Sequence, residues 1–289
     1  MPSMRRPYFY AILVVLFWAT VASAFKISLR FLNFIQLLFW SSLFSAILLF
    51  IIVLAQRKMP DLIESYKNFW KNSLISGFLN PFLYYFILFK AYSLLLAQEA
   101  QPLNQTWAII LAILSAILLK QPLYPKSIIA LCISFFGVLI ITTHLEFRNL
   151  KFSNPLGVIL ALGSAFVWSI YWIYNLKDQR DVIVKLLTNF TFGLLFILPV
   201  IFLTKNFSIP DLSGILCGIY VGTFEMGITF VLWLKALKLA PVAARITNLI
   251  YLVPFFSLII IGLVLKERIQ IWTILGLIFI ITGIIIQTK

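Results

Sequence analysis

The sequence predicts an all-α integral membrane protein, with ten transmembrane helices arranged as two inverted five-helix repeats. Three observations carry that expectation. Hydrophobic residues make up 62% of the chain, charged residues only 11%, and the mean hydropathy is +1.04. A soluble domain is about 45–50% apolar and about 25% charged, so this much apolar surface requires lipid as its solvent. Apolar runs near the membrane-spanning length of about 20 residues recur along the whole chain. Finally, stretches of the first half return in the second.

The clearest return is at 222–235, GTFEMGITFVLWLK, which answers 77–90, GFLNPFLYYFILFK. A shift of 145 pairs Gly77 with Gly222, Asn80 with Glu225, Tyr84 with Thr229 and Lys90 with Lys235. A shift of 146 pairs Lys120-Gln121 with Lys266-Glu267 and Gly137 with Gly283. Trp18 and Trp168 hold similar places in the first and sixth runs. The repeat boundaries are expected at 1–145 and 152–289. Each unit holds five spans, an odd number, so the second copy enters the membrane inverted. Inverted repeats recur in secondary transporters and place a site where the repeats meet.

The ten spans are expected at 8–25, 33–55, 73–95, 98–119, 126–143, 155–176, 183–203, 212–234, 242–265 and 270–287. Arg5 and Arg6 precede an apolar run ending in Ala22-Ser23-Ala24, which resembles a signal peptide. Its counterpart in the second half favours an uncleaved first span. Runs such as LLFIIVLA and IIIGLVL could be buried strands, but their length and lack of turn signals favour helices. The joints are short, and none is long enough for a separate domain.

Net charge is +14, yet the basic residues lie between apolar runs rather than in one patch, which argues against nucleic acid. With the N-terminus inside, 15 of the 23 Lys and Arg fall in inner joints and 8 in outer ones. That split places both termini in the cytoplasm. Cys132 and Cys217 lie within apolar runs and are expected as free, buried thiols. No zinc-ligand cluster, phosphate loop or nucleophile elbow is present, so neither an enzyme nor a cofactor is expected.

Glu225 is the sharpest chemical signal. An acid inside a membrane span costs about 2.5–3.5 kcal/mol on insertion scales, so it faces a cavity or a partner. On a regular helix Gly222, Glu225, Thr229 and Trp233 share one face. That face suits a proton-coupling or cation-binding role; the alternative is a hydrogen-bonded structural acid. Asn80 is its neutral mate. Pro81 and Pro254 each remove a backbone donor within an apolar run, as at substrate-exposing breaks or at simple packing kinks.

The fourth span opens with Gln98, Glu99, Gln101, Asn104, Gln105 and Thr106, then Trp107. The ninth opens with Arg245, Thr247, Asn248 and Tyr251. Both turn from polar to apolar, as a vestibule narrowing to a pocket would; interhelical hydrogen bonding is the alternative. Trp18, Tyr84, Trp107, Trp168, Tyr171 and Tyr251 lie beside these polar faces and are expected as the walls of a site. Asn80, Asn104 and Asn248 are expected to hydrogen-bond the substrate. Trp40, Trp70 and Trp272 read as interfacial belt residues, and Lys90 and Lys235 as snorkelling cations.

These features resemble the drug/metabolite transporter superfamily, in its EamA-like branch. The resemblance rests on AILSAILLKQPL (112–123) and FSLIIIGLVLKERI (256–269), each followed by a span with a late glycine. LNQTWAII (103–110), YLVPFF (251–256) and GITFVLWLKAL (227–237) add to it. It covers essentially the whole chain and is stronger in the second half. It implies a ten-helix carrier in a bacterial-type inner membrane, which exports amino acids or other small metabolites through a cavity lined by spans 1, 3, 4, 6, 8 and 9. Ala108 stands where the family motif has proline, and Gln121 where it has an acid. The LNQTW stretch is similar to that of aromatic-amino-acid exporters, with Gln105 in place of their tyrosine. The sequence implies lipid and a small-molecule solute as partners, protons as a coupling ion, and no particular oligomeric state. The remaining alternative is a channel-like or structural membrane subunit, for which rings of like charge would be expected.

Overall fold

The computed structural model of the protein describes residues 5–118, 125–143, 145, 154–239 and 248–288. Every regular element among them is helical. The first half comprises α1 (Arg5–Ser28), α2 (Phe34–Ala55), α3 (Met59–Asn68), α4 (Trp70–Gly77), a π-helical segment (Phe78–Leu83), α5 (Tyr84–Leu94), α6 (Ala97–Gln105), α7 (Trp107–Leu118) and α8 (Pro125–Thr143). The second comprises α9 (Pro155–Lys177), α10 (Val182–Leu203), α11 (Leu212–Tyr220), a π-helical segment (Val221–Gly227) and α12 (Ile228–Leu239). A 3₁₀ turn (Asn248–Leu252), α13 (Val253–Ile260), a π-helical segment (Ile261–Leu265) and α14 (Ile271–Thr288) follow.

Six helical runs are long and apolar enough to cross a membrane: Arg6–Ser28, Phe34–Ala55, Trp70–Leu94, Pro155–Asn175, Val182–Leu203 and Leu212–Ala236. Ile128–Ile141, Val253–Leu265 and Ile271–Ile286 are apolar but shorter. The expected fourth span is divided at Thr106; its first part, α6, is polar and its second, α7, apolar, as the expected gradient has it. The joint after α2 contains a surface helix, α3, that the hydropathy pattern did not signal.

Local sequence explains why α2 and α10 start and stop where they do. The Asn33 side chain accepts from the Ile35 and Gln36 amides, and Gln36 reaches back to the Asn33 amide, completing a capping box. At a shift of 148, Asp181 accepts from the Ile183 and Val184 amides. Both helices end the same way. Arg57 (φ 57°) and Lys205 (φ 55°) adopt the left-handed conformation. The Lys58 amide then bonds Val53 O, and the Asn206 amide bonds Ile201 O. This is the Schellman closure, which satisfies carbonyls the helix end leaves open.

Packing between the halves also recurs with the halves exchanged. α10 packs on α4 and Phe78–Leu83, and α2 packs on α11 and Val221–Gly227. α9 lies against α5, and α1 against α12. The contacts are backbone-close. A methyl on Gly77 would overlap Asn189 O, and one on Gly222 would come within 2.5 Å of Ser41 O. Among the described residues α8 and α14 form the most extensive pairing, and they run antiparallel. A methyl on Gly137 would lie 2.5 Å from Gly276 O, and one on Gly283 would lie 2.5 Å from Ala130 O. Small residues let helices approach this closely where lipid supplies no hydrophobic drive.

Polar clamps tie helices together at both ends, some within a half and some across the halves. At one end, the Arg180 guanidinium pairs with Asp178 at 2.5 Å and donates to Ser65 (2.6 Å) and Ser73 (2.8 Å). Lys58 reaches Asp181 at 2.6 Å. At the other end, Lys26 Nζ donates to Tyr92 O (3.0 Å) and Leu95 O (2.9 Å). The Glu267 carboxylate there accepts from the Ala97 (3.1 Å) and Gln98 (3.3 Å) amides. A cation thus meets the C-terminus of α5 and an anion the N-terminus of α6, each matching the local helix dipole.

Candidate functional site

Between the clamps lies a cavity of about 70 Å³, roughly enough for a few water-sized groups. Its walls come from α1, α5, α6, α7, α9, α12 and the start of α13. Its carboxylate is Glu225, placed in the π-helical segment Val221–Gly227. Glu225 Oε1 accepts from the Tyr85 hydroxyl at 2.9 Å, and the Trp18 indole faces the same carboxylate. Glu225 Oε2 has no hydrogen-bond partner among the described residues. No described Lys or Arg forms an ion pair with Glu225.

The rest of the wall is aromatic and amide. Trp168 stacks on Tyr84 at 4.5 Å, and Trp18 lies 5.9 Å from Trp233. Phe230 meets both Trp18 and Trp168 edge-on. Asn104 accepts from the Tyr84 hydroxyl at 3.3 Å and donates to Ser164 at 2.9 Å. The Tyr92 hydroxyl meets Gln101 Oε1 at 2.8 Å. Two further groups of the wall, Gln105 Nε2 and Trp172 Nε1, are buried donors without an acceptor among the described residues.

Against known proteins, the EamA-like transporter family model matches residues 5–143 and again 155–288. The chain belongs to the EamA-like transporter family. It is a multi-pass membrane transporter, as its family and its apolar helices together indicate. An uncharacterized transporter of Archaeoglobus fulgidus is 26% identical over 283 residues, covering 96% of this chain and 95% of its own. One from Clostridium kluyveri is 28% identical over 178 residues, 59% of this chain; the match spans 56% of that relative's length. The uncharacterized transporter YvbV of Bacillus subtilis is 24% identical, covering 77% of this chain and 73% of its own. A crystal structure with 18% identity shares the fold, with a TM-score of 0.68 over 98% of this chain and 96% of that one.

Within this EamA-like transporter, six of the expected site residues line the cavity: Trp18, Tyr84, Asn104, Trp107, Trp168 and Glu225. Two do not. Tyr171 is fully buried behind Trp168, stacked on it at 5.4 Å, with its hydroxyl accepting from Asn175 Nδ2 at 2.9 Å. Asn80 is fully buried at the break in the third span, away from the cavity wall. The side chains of Asn248 and Tyr251 lie outside the described residues, as do Arg245 and Thr247.

The single polar face expected on 222–235 is divided. The π-helical segment adds residues to the turn, so the regular helical register fails there. Glu225 and Trp233 line the cavity. Gly222 packs on α2, and the buried Thr229 hydroxyl donates to Phe224 O. Pro81 does sit at a helix break, where Asn80 is extended (φ −148°, ψ 119°). Pro254 instead occupies the first turn of α13, where a missing amide costs nothing. The thiols also differ from expectation, since Cys132 is exposed and Cys217 half-buried. Both are free.

Sequence reasoning missed Tyr85 and Trp172 altogether; it placed Gln101 and Gln105 in the vestibule and Trp233 on the Glu225 face without counting them among the substrate-binding residues. Trp172 was findable, because it lies one turn beyond Trp168 on the same helical face. Tyr85 carried no such signal. Its role follows from the approach of α5 to Glu225 in the other half.

Proposed function

We propose that the protein is a secondary carrier that exports small organic metabolites, amino acids among them, by alternating access across the inner membrane. The carrying observation is a carboxylate-bearing cavity between the halves, at a break in a membrane-crossing helix. The exchanged packing supports the repeat reading. A rotation that swaps the antiparallel helices α8 and α14 has its axis perpendicular to both. If those helices cross the bilayer, that axis lies in the membrane plane, which is the inverted arrangement. The units would be 1–145 and 152–289, with both termini cytoplasmic by the distribution of basic residues.

In this reading Glu225 handles the coupling proton or a cation, the indoles and phenols form the walls, and Asn104 bonds the solute. Carriage rather than conduction is favoured because the cavity holds one acid and scattered amides, with no described ring of like charge. Counterflow in proteoliposomes with labelled amino acids and nucleoside-type metabolites tests it. A carrier gives saturable counterflow for at least one solute. Single-channel currents without counterflow would instead establish the channel-like alternative.

A further inference from the structure

The surface helix α3 carries three kinds of face. Leu62 and Ser65 are buried where α3 meets the bundle, chiefly at α10. Asp61, Glu64 and Asn68 recur at i, i+3 and i+7 and form an exposed polar stripe. Met59, Ile63 and Lys67 recur at i, i+4 and i+8, and there two apolar residues lead to an exposed cation. A helix with an apolar flank and a charged flank suits the plane of a bilayer surface. Exposed Phe69 and Trp70 follow it, as aromatic residues do at a membrane–water boundary.

Beside α3, between α2 and α10, runs an apolar groove of about 470 Å³. Ile47, Phe50 and Ile63 in its wall are 46%, 42% and 49% exposed, so it opens outward from the bundle. Met59, Tyr66 and Leu187 line it too, and the Tyr66 hydroxyl donates to Thr191 Oγ1 at 2.8 Å. The far end of the same helix pair is closed by the protein itself. There Phe207 packs on Phe202 (5.0 Å), Phe39 (5.9 Å) and Trp40 (6.5 Å). The shift of 148 that matches the caps pairs Phe207 with Met59, Phe39 with Leu187, Phe202 with Leu54 and Trp40 with Thr188. Four rings at one end therefore become smaller side chains at the other, and a groove stands where the rings would pack. A gap beside lipid forfeits dispersion contacts unless an acyl chain enters it.

The charges beside the groove discriminate among lipids. Lys67 lies one turn beyond Ile63, on the groove side, while Asp61 and Glu64 occupy the other stripe. Arg57, in the turn joining α2 to α3, is exposed as well. Neither cation has an ion pair among the described residues, whereas Lys58 is held by Asp181. We infer that the groove binds one phospholipid of the adjoining leaflet, with an acyl chain seated between α2, α3 and α10 and an anionic headgroup met by Lys67 and Arg57. The groove walls come from both halves of the chain, so this lipid bridges them. The inference needs only the membrane setting and does not rest on the carrier reading.

The test uses the full-length protein in detergent, with phosphatidylglycerol or phosphatidylcholine of identical chains added. Native mass spectrometry counts the lipid retained after delipidation. One phosphatidylglycerol per chain is expected to stay, favoured about fivefold or more over phosphatidylcholine. Met59→Phe with Leu187→Phe copies the closed end and should lose that lipid while circular dichroism stays that of the folded protein. Lys67→Gln with Arg57→Gln changes only exposed side chains. It should retain lipid but bring the two headgroups within about twofold of each other. A graded loss with no retained copy, meaning annular lipid only, would overturn the assignment. So would undiminished retention in the folded, ring-filled variant, or an unchanged headgroup preference once both cations are gone.

Discussion

The Tyr85 hydroxyl donates to Glu225 at 2.9 Å, joining residues 140 positions apart in the two halves of the chain. Both side chains are buried, and each lies beside or within a helix interrupted by a π-helical segment. The bond holds one carboxylate oxygen and leaves the other unpartnered among the described residues. Tyr85→Phe keeps the ring packing on Phe89 (5.2 Å) and removes only this bond. Such a bond in a membrane protein contributes about 0.6–2 kcal/mol, so a loss of that size is expected in a reversible detergent-unfolding titration.

Glu225→Gln is expected to abolish the pH dependence of uptake in proteoliposomes, since no other acid is described in the cavity wall. The readout is the initial rate across a pH series. A variant retaining the wild-type rate and profile would remove Glu225 from the coupling step.

At the clamp between Lys177 and Val182, Arg180 and Asp178 are each only 7% exposed at the side chain. The guanidinium also lies over the Phe69 ring at 5.4 Å. Arg180→Met therefore strands a buried carboxylate. Breaking a buried pair from one side costs about 3–5 kcal/mol, and a loss of that order is expected. Replacing both partners with apolar residues should cost far less.

The same pair sets a pH dependence. Burial pushes the Asp178 carboxyl up, but hydrogen bonds and charge from Arg180 override it and hold the group below the ordinary aspartate value. A group lowered in the folded state contributes stability above its unfolded value, about pH 3.9, and loses it as pH falls through the folded one. Acid unfolding below about pH 4 should accordingly be shallower in Asp178→Asn, measured by tryptophan fluorescence against pH.

Glu267 caps α6 from the loop after Ile261–Leu265, through the Ala97 and Gln98 amides. Glu267→Ala should cost about 0.5–2 kcal/mol, the ordinary range for losing an N-cap acceptor. It should also raise the labelling rate of a cysteine placed at Leu96, because the clamp at that end of the cavity loosens. An unchanged rate would mean that Glu267 does not restrain this joint.

The membrane class and most span boundaries were legible in the residues, and so was the place of Glu225 in a cavity wall. Apolar length and composition are one-dimensional quantities, and lipid imposes them on every span alike. The N-cap of α2 went unread in the sequence, although Asn33 and Gln36 spell a capping box over four residues. Of the eight expected site residues whose side chains are described, six line the cavity. The division of the fourth span at Thr106, and of the Glu225 face, was not legible. A π-helical segment depends on what packs against the turn, and no local residue pattern demanded one here.

Which rings and amides meet one another was decided by tertiary structure alone. Asn80 and Glu225 stand at matched positions in sequence, yet the fold buries one away from the cavity and turns the other into its wall. Gly77 and Gly222 likewise show their purpose only where Asn189 and Ser41 press against them. Helix propensity and hydropathy act along the chain, whereas close packing acts across it, and the approach of the two halves determined which polar groups would face each other in the low-dielectric interior.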